Sequence, residues 1–345
     1  MRKRLGVIVA ACLYYSGLIA LARWMMRCSG PRLIILNYHR ASGGDLQRHM
    51  HYLHRYYRML PLEEALQELY ASRIYQRHAK DHRTPLVLTF DDGYRDNYQQ
   101  AFPIAGELHA PITIFLVPGY IESGDYFWWG EGRRLVRHAS VDEIVLDEQK
   151  YRLKVPDEAA RLVYAIDQHV CHAQSVVERE TFLQALRAQL AVPAMVMPDE
   201  EGDRPCNWHE VCEMQQSGWV SFGAHTMHHP VLAYLQDSQE IEYEVSECRQ
   251  MLEQHLGHAV YTFAYPIGKF EHIGKDAVLA VQKAGYKWAV TTENGINTPE
   301  SDPYRMKRVL GDVTRHWLVM AAEVSGIWGF FSPFWKALVG KGDMV

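Results

Sequence analysis

Seven short apolar runs, most of them separated by helix-patterned stretches, constrain the fold of this chain more than any other feature. The apolar runs lie at 33–37, 86–90, 112–117, 219–224, 260–264, 288–292 and 304–310. Stretches with a helical pattern lie at 61–75, 96–108, 238–256 and 272–284. Strands that alternate with helices indicate parallel βαβ units, and right-handed crossovers curl such units into a barrel. The sequence therefore predicts an α/β fold whose parallel sheet closes on itself.

Polar residues follow directly on four of the predicted strands. These residues are Tyr38-His39, Asp91-Asp92, His225 to His229 and Tyr265-Pro266. The active site of a (β/α) barrel lies at the carboxyl ends of its strands. We therefore expect the four groups to converge on one rim of the barrel.

The stretch Thr89-Phe90-Asp91-Asp92-Gly93 places two adjacent carboxylates at the end of a predicted strand. Neighbouring side chains of an extended segment point to opposite faces. Both carboxylates can therefore approach one metal ion only if the backbone turns, and Gly93 is suited to such a turn. For Asp-Asp-Gly taken alone, an ordinary acidic turn remains the alternative.

The stretch His225-Thr226-Met227-His228-His229-Pro230 supplies two histidines four residues apart. On a helical turn this spacing puts His225 and His229 on one face, and neutral imidazole is the commonest side-chain metal ligand. The pattern is weak by itself in a chain with 18 histidines. Its occurrence at a strand end, like that of the carboxylates, favours a shared metal site.

Thr-Phe-Asp-Asp-Gly followed by His-Thr-x-x-His-Pro resembles the signature of the polysaccharide deacetylases, carbohydrate esterase family four. The resemblance covers roughly residues 33–313 apart from a middle insertion. It implies an irregular seven-stranded (β/α) barrel that binds a divalent metal through an Asp-His-His triad. In this sequence the resemblance assigns Asp92, His225 and His229 to the metal and Asp91 to the role of general base.

Hydrolysis of an N-acetyl amide needs this division of labour. A metal ion lowers the pKa of a bound water to about 7 and polarises the carbonyl, and three protein ligands leave a position open. A base placed beside the metal contributes roughly 10²–10⁴-fold. Zinc is the expected metal for two histidines and one aspartate, with nickel, cobalt or manganese as alternatives.

The resemblance departs from the common family pattern at the loop after the fifth strand. That loop is often Arg-x-Pro-Tyr-Gly, with an Arg that orients the base, whereas Ala264 occupies the Arg position here. Arg308 is the candidate replacement, with a plain surface arginine as the alternative. Tyr265, Pro266 and Ile267 of this loop are the candidate substrate and oxyanion contacts, with the backbone N–H of Ile267 as the oxyanion donor.

A second departure concerns the catalytic acid. Many members of the family end with a Leu-x-His that provides a catalytic histidine, and the C-terminal stretch of this chain has no such element. The stretch Leu36-Asn37-Tyr38-His39-Arg40 resembles the Tyr-His element of the exopolysaccharide-modifying branch. The resemblance implies that His39 is the general acid, and a structural histidine at a strand end is the alternative.

An insertion at about 120–205 separates the third strand from the fourth. It begins with Tyr126-Phe127-Trp128-Trp129, and its residues 158–191 have a charged helical pattern that predicts a helical cap over the barrel. Trp128 and Trp129 are candidates for stacking on sugar rings, although packing within the cap is the commoner role of such a cluster.

The N-terminal segment 1–30 predicts contact with a membrane lipid surface. Arg2, Lys3 and Arg4 precede an apolar run at 5–22, which is about the minimum length for a bilayer span. An uncleaved anchor, a cleaved signal peptide and an interfacial helix are the alternatives, although no Ala-x-Ala cleavage site follows the run. The barrel would occupy 31–314, and an aromatic tail at 315–345 would dock at the same membrane. We expect a bacterial-type inner membrane and leave its face open.

Composition excludes few function classes. A net charge of −5 without a continuous basic stripe gives no indication of nucleic-acid binding, and six cysteines lack the spacing of a metal site or a dense disulfide framework. The expected partner is an N-acetylated glycan, either a polymer or a lipid-linked sugar, and the oligomeric state stays open. The alternative function is a catalytically silent carbohydrate-binding or glycan-assembly protein of the same fold, which would have no need of Asp91.

Overall fold

The computed structural model describes residues 2–71, 81–192 and 202–327. Its centre is a closed parallel barrel of seven strands, which are β1 (Ile34–Tyr38), β3 (Pro85–Phe90), β4 (Ile112–Leu116), β7 (Val220–Ala224), β8 (Thr262–Ala264), β9 (Trp288–Asn294) and β10 (Met306–Leu310). Their order around the barrel is β1-β10-β9-β8-β7-β4-β3, and β3 pairs back to β1. Each strand overlaps one of the seven predicted apolar runs, so the predicted barrel is confirmed. A short strand, β2 (Arg58–Met59), pairs with the start of β3.

The two-residue period of the strands separates two layers of the core. Ile35, Val87 and Met306 belong to a cluster of buried side chains that includes Phe115 and the apolar face of the helix at 62–70. Alternate residues of the same strands, such as Ile34, belong to the larger cluster between the barrel and the surrounding helices. The first cluster therefore fills the barrel interior.

The described helices lie around the barrel and in the stretch of chain inserted between β4 and β7. They are α1 (Arg2–Tyr15), α2 (Leu18–Cys28), α3 (Leu46–Tyr56), α4 (Leu62–Tyr70), α5 (Phe102–Leu108), α6 (Pro118–Ser123), α7 (Trp128–Arg137), α8 (Pro156–Cys171), α9 (Val176–Gln189), α10 (Trp208–Gln216), α11 (Ser238–Leu256), α12 (Phe270–Ile273), α13 (Lys275–Lys283) and α14 (Trp317–Val324). A π-helical turn at Asn97–Ala101 precedes α5, and a 3₁₀ turn lies at Leu232–Tyr234. The four predicted helical stretches all contain helix, although Gly274 (φ 75°) breaks the last one between α12 and α13.

The insertion between β4 and β7 forms a cap with its own core. Helices α7, α8 and α9 bury Leu135, Leu162, Ile166, Leu183 and Leu186 against one another. The cap is not wholly helical as predicted, because strands β5 (Glu143–Leu146) and β6 (Gln149–Arg152) form an antiparallel hairpin. Its turn residues Asp147 and Glu148 have positive φ. Hairpin turns of this kind usually contain glycine or asparagine, and neither residue occurs at these two positions.

The two N-terminal helices pack with one face on α3 and α14. Ala10 and Ile19 are buried, and Tyr14 packs edge-on against Trp317 of α14 with ring centroids 5.1 Å apart. Among the described residues no single helix is long and apolar enough to cross a membrane, while α1 and α2 together meet the length and composition criteria but are bent by 67°. Of the predicted aromatic tail at 315–345, the first part contains α14 (Trp317–Val324), and the part from residue 328 onward lies outside the described residues.

Candidate metal and catalytic site

The site lies at the carboxyl ends of the barrel strands. Five of the predicted residues converge there, and a sixth, His39, lies at its exposed edge. The five are Asp91 and Asp92 after β3, His225 and His229 after β7, and Arg308 near the end of β10. The strand order places β10, β1, β3, β4 and β7 on one continuous arc of the barrel. Side chains from distant parts of the chain therefore meet on this arc.

Left-handed backbone at non-glycine residues shapes this rim. Asp92 (φ 73°), Thr226 (φ 63°), His229 (φ 54°) and Ile267 (φ 58°) all have positive φ. Residues held in such sparsely populated regions cost of order 1–3 kcal/mol each and persist only where the surroundings fix them. Their concentration around the predicted site agrees with the tendency of such strain to occur at functional sites.

The turn at Asp92 and Gly93 separates the two neighbouring carboxylates. Asp91 points to the barrel interior and pairs with Arg308, whereas Asp92 points to the histidines. Gly93 (φ 71°) packs so closely on Leu116 that a Cβ would lie 2.6 Å from the leucine side chain. The backbone turn that the two-carboxylate hypothesis required is therefore present, and a glycine is needed there.

Asp92, His225 and His229 form a compact buried group. Asp92 Oδ1 lies 3.4 Å from His225 Nε2 and 3.6 Å from His229 Nε2, and one ligand atom from each residue lies within 4.8 Å of the others. His225 Nδ1 is 2.7 Å from the carbonyl oxygen of Ala264, so its Nε2 is left to face the carboxylate.

The types of donor atom and the unsatisfied oxygen of Asp92 both fit a divalent cation. Asp92 Oδ1 is buried and has no hydrogen-bond partner among the described residues, which is costly unless another ligand satisfies it. One carboxylate and two imidazoles match the chemistry of catalytic zinc sites and of other first-row metal sites. The carbonyl that orients His225 is the kind of outer contact that metal-binding histidines use.

The electrostatics of the two histidines differ. Burial, together with the neighbouring His225, lowers the pKa of His229 to about 3, so His229 is neutral as a metal ligand must be. Burial also acts to lower the pKa of His225, but the close contact with Asp92 and the charges of both aspartates outweigh it and raise that pKa. A proton or a bound cation can thus satisfy the same carboxylate and imidazole atoms.

Asp91 is held by a fully buried arginine. Arg308 is 0% exposed, and its two Nη atoms donate to the two Asp91 carboxylate oxygens at 2.7 Å each, while Nε donates to the carbonyl of Thr291. Burial raises the pKa of Asp91, but Arg308 and His225 outweigh it and hold that pKa below its usual range. The alternative of a surface arginine at 308 is wrong.

Asn37 completes the surroundings of Asp91 and was not predicted from the sequence. Its Nδ2 donates to Asp91 Oδ2 at 3.0 Å, and its Oδ1 accepts a hydrogen bond from Thr89. Asn37 lies two residues after Ile35 of the barrel interior. The strand period would have placed this asparagine on the inner face beside Asp91.

His39 lies at the open side of the site. Its Nε2 is 3.9 Å from Asp91 Oδ2, and its side chain is 49% exposed. The imidazole is therefore next to the carboxylate and accessible from solvent, which is the position that an acid for a leaving group needs.

In the loop after β8, the side chain of Tyr265 does not lie where a substrate contact would need it. The Tyr265 ring packs in the core on Phe263, and its hydroxyl donates to the carbonyl of Tyr304 at 3.2 Å. The Tyr265 side chain therefore points away from the metal group. Pro266 is buried, and Ile267 turns the chain with its carbonyl accepting a hydrogen bond from Thr292.

The two tryptophans of the cap have different surroundings. Trp128 is buried and donates from Nε1 to the carbonyl of His229 at 2.9 Å, so it packs between the cap and the metal group. Trp129 is partly exposed, and its ring centroid is 4.3 Å from that of His229. Of the pair, Trp129 is the one placed to contact a ligand at the site.

Comparison with known proteins agrees with this geometry. A polysaccharide deacetylase family model matches residues 78–289. YxkH of Bacillus subtilis (strain 168), which also carries a polysaccharide deacetylase name, is 21% identical over 296 residues, covering 83% of this chain and 74% of the relative. The active site of a (β/α) barrel lies at the carboxyl ends of its strands, which is where Asp92, His225 and His229 are grouped. The chain belongs to the polysaccharide deacetylase family.

Solved structures share the fold. The Streptococcus pyogenes deacetylase PplD in complex with acetate is 17% identical, with a TM-score of 0.54 over 84% of this chain and 97% of that one. IcaB from Ammonifex degensii is 18% identical, with a TM-score of 0.53 over 86% and 98%. A de-N-acetylase from Aggregatibacter actinomycetemcomitans is 14% identical, with a TM-score of 0.52 over 85% and 99%.

Replacing Arg308 by Met should strongly destabilise the protein, because it leaves the Asp91 carboxylate buried without its bidentate partner. We expect the free energy of unfolding to fall by about 3–5 kcal/mol, measured by urea unfolding at neutral pH in the presence of a chelator. The double variant Arg308→Met/Asp91→Asn should recover a large part of this loss, since no uncompensated charge remains.

Arg152→Met is the matched control, because the Arg152 side chain is 63% exposed and pairs with Glu158 within the cap. It should change the free energy of unfolding by no more than about 1 kcal/mol. Equal effects of Arg308→Met and Arg152→Met would contradict the role given to the buried ion pair.

Proposed function

We propose that this chain is a metal-dependent deacetylase that hydrolyses the N-acetyl group of an amino sugar in a glycan. The observation that carries the proposal is the buried Asp92 Oδ1, which has no hydrogen-bond partner in the described part of the chain and faces two imidazoles, beside a second carboxylate that an arginine holds in place. A binding protein of the same fold would need neither the second carboxylate nor its buried partner.

In the proposed mechanism Asp92, His225 and His229 hold the metal. A bound divalent ion supplies Lewis acidity, which lowers the pKa of water and polarises a carbonyl. Zinc is the first candidate, with nickel, cobalt and manganese as alternatives for this donor set.

Asp91 is the proposed base that takes the proton of the attacking water. Because Arg308 and Asn37 fix both of its oxygens, the carboxylate is oriented before the substrate arrives. Its lowered pKa keeps it ionised at neutral pH, which favours orientation at some loss of basicity. Arg308 is thus proposed as a positioning residue for the base.

His39 is the proposed acid that protonates the leaving amine. It lies on the solvent side of Asp91, at 3.9 Å from Oδ2, so a substrate entering from solvent would contact the imidazole first. The backbone N–H of Ile267, in the strained turn after β8, is the proposed donor to the developing oxyanion.

An N-acetylated glycan is the proposed substrate. Trp129 is partly exposed beside His229 and can stack on a sugar ring, and the name of the Aggregatibacter de-N-acetylase favours removal of an acetyl group from nitrogen. Both a polymer and a lipid-linked sugar fit an open rim of this kind.

We also propose that the N-terminal helices bind the surface of a bacterial-type inner membrane, with the face left open. Leu5, Ile8, Leu21 and Trp24 are exposed, opposite the side on which α1 and α2 pack against α3 and α14. A bent pair of helices with one face on the barrel and apolar side chains on the other suits an interfacial position.

Asp92→Ala should abolish both metal binding and deacetylation, because the triad loses its carboxylate. The measurement is metal content of the purified protein together with acetate released from N-acetylglucosamine oligomers. Asp142→Ala, which removes an exposed cap carboxylate paired with Lys154, is the control and should keep both. If the wild-type protein binds metal but releases no acetate, the substrate would be a glycan with a different acyl group. If the wild-type protein binds no metal, the result would support the binding-protein alternative.

His39→Gln should lower kcat by roughly 10²–10⁴-fold, the usual contribution of a positioned acid, while metal content stays at the wild-type level. Steady-state kinetics on the same oligomers, with metal analysis of each preparation, checks this. His138→Gln, at the end of α7 in the cap, is the control. Wild-type kcat in His39→Gln would assign the proton transfer to another group.

Leu21→Glu combined with Trp24→Glu should remove binding to vesicles of phosphatidylglycerol and phosphatidylcholine, because two charges then replace the exposed apolar side chains of α2. Co-sedimentation with vesicles measures the bound fraction. Val177→Glu combined with Tyr164→Glu, at exposed apolar positions of the cap, should bind as the wild type does. The membrane proposal fails if the α2 variant sediments with vesicles as efficiently as the cap variant.

A further inference from the structure

The loop that carries both histidine ligands is held from outside by hydrogen bonds to three consecutive carbonyls. Gly119 of α6 donates to Met227 at 3.0 Å, Arg179 of α9 donates to His228 at 3.0 Å, and Trp128 of α7 donates to His229 at 2.9 Å. All three donors belong to the stretch of chain inserted between β4 and β7. The barrel itself supplies none of these three contacts.

Arg179 is the least expected of the three donors. Its side chain is 2% exposed although it lies on a helix of the cap, and its guanidinium carbon is 5.3 Å from the centroid of the Trp128 ring. A buried cation is retained only where specific partners compensate it. Those partners are the carbonyl of His228, the indole of Trp128 and the carboxylate of Glu180.

The barrel side of the same loop has its own fixed contact. Glu244 of α11 is buried and accepts hydrogen bonds from the backbone N–H of His228 at 2.8 Å and from its Nδ1 at 2.6 Å. The backbone at His228 is thus held on both sides, because its N–H donates to Glu244 of α11 and its carbonyl accepts from Arg179 of the cap. Such a clamp restrains the peptide that precedes the ligand His229.

The conformation of the loop requires this restraint. Thr226 and His229 both have left-handed backbone, and the only internal bonds of the loop described at these positions join Thr226 Oγ1 to the carbonyl of His225 and to the N–H of His229. Strained backbone relaxes when its surroundings stop fixing it. Relaxation here would move His229 Nε2 away from Asp92 and His225.

We propose that Arg179 and Trp128 are positioning residues for the metal, so that the cap is part of the metal site rather than only a cover over it. This inference rests on the proposed metal-dependent function. Outer residues that orient metal ligands typically change metal affinity by 10–100-fold when they are replaced. Neither residue contacts the metal in this proposal, and each acts through a backbone carbonyl.

The test is the metal affinity of the full-length, metal-free protein. Arg179→Met and Trp128→Phe each remove one donor to the loop while keeping most of the side-chain volume. We expect the dissociation constant for Zn²⁺, measured by competition with a chromophoric chelator, to rise about 10–100-fold in each variant. The absorption spectrum of bound Co²⁺ should change in shape, because the histidine geometry changes. Arg179→Lys keeps the charge and one donor and should recover part of the affinity.

Two matched controls separate loop positioning from general weakening of the cap. Arg187→Met removes another arginine of α9, which donates to the buried Glu131 within the cap. Trp208→Phe removes an indole donor to Glu122. Both controls should bind Zn²⁺ with the wild-type dissociation constant, and thermal unfolding of all the metal-free proteins reports whether the fold is kept.

The inference is overturned if Arg179→Met and Trp128→Phe bind Zn²⁺ as tightly as the wild type, or if Arg187→Met weakens binding as much as Arg179→Met. Trp128→Phe is a mild change and keeps the test decisive if Arg179→Met fails to fold. A wild-type protein that binds neither Zn²⁺ nor Co²⁺ would overturn the proposed function itself. Tight binding by the wild type and both loop variants would overturn only this inference.

Discussion

The left-handed turn at Asp92 and Gly93 is the constraint on which the rest of the site depends. Without it, the two carboxylates would follow the extended strand and point to opposite faces of the sheet, with one of them away from the rim. With it, Asp91 continues the inner face of β3 to meet Arg308, and Asp92 turns toward the histidines. One local backbone conformation thus assigns two identical side chains to two environments.

The environments of the two carboxylates are built by different means. Asp91 is surrounded by donors from β1 and β10, the strands that follow β3 around the barrel, and its charge is balanced inside the protein. Asp92 keeps one buried oxygen without a hydrogen-bond partner among the described residues, at 3.4 Å from His225 Nε2 and 3.6 Å from His229 Nε2. The difference fits the roles proposed above, with Asp91 as the base and Asp92 as a metal ligand.

Local sequence patterns predicted the barrel well, because apolar runs of strand length and turn residues report directly on buried strands and their ends. The same patterns brought out Asp91, Asp92, His225 and His229 as candidates, because their motifs are short and contiguous, and the family resemblance then assigned Asp92, His225 and His229 to the metal. They could not show that Arg308 is buried, because β10 pairs irregularly with β9 between Met306 and Arg308 and the register is not visible locally.

The β5–β6 hairpin was missed because Asp147 and Glu148 adopt positive φ without a glycine. Arg179 offered no signal, since an arginine among the charges of α9 looks like a solvated residue.

The position of the cap in the chain has a consequence for how the protein is made. β4 and β7 pair along their full length, yet the whole cap is synthesised between them, and the histidine loop follows β7. Closing a long flexible loop carries an entropic penalty that grows with its length, whereas a cap with its own core can fold as a unit and bring its ends together. During synthesis, when domains fold in order from the N-terminus, Trp128 and Arg179 would be in place before His229 emerges. The nascent histidine loop would then fold against a cap in which its hydrogen-bond donors are already positioned.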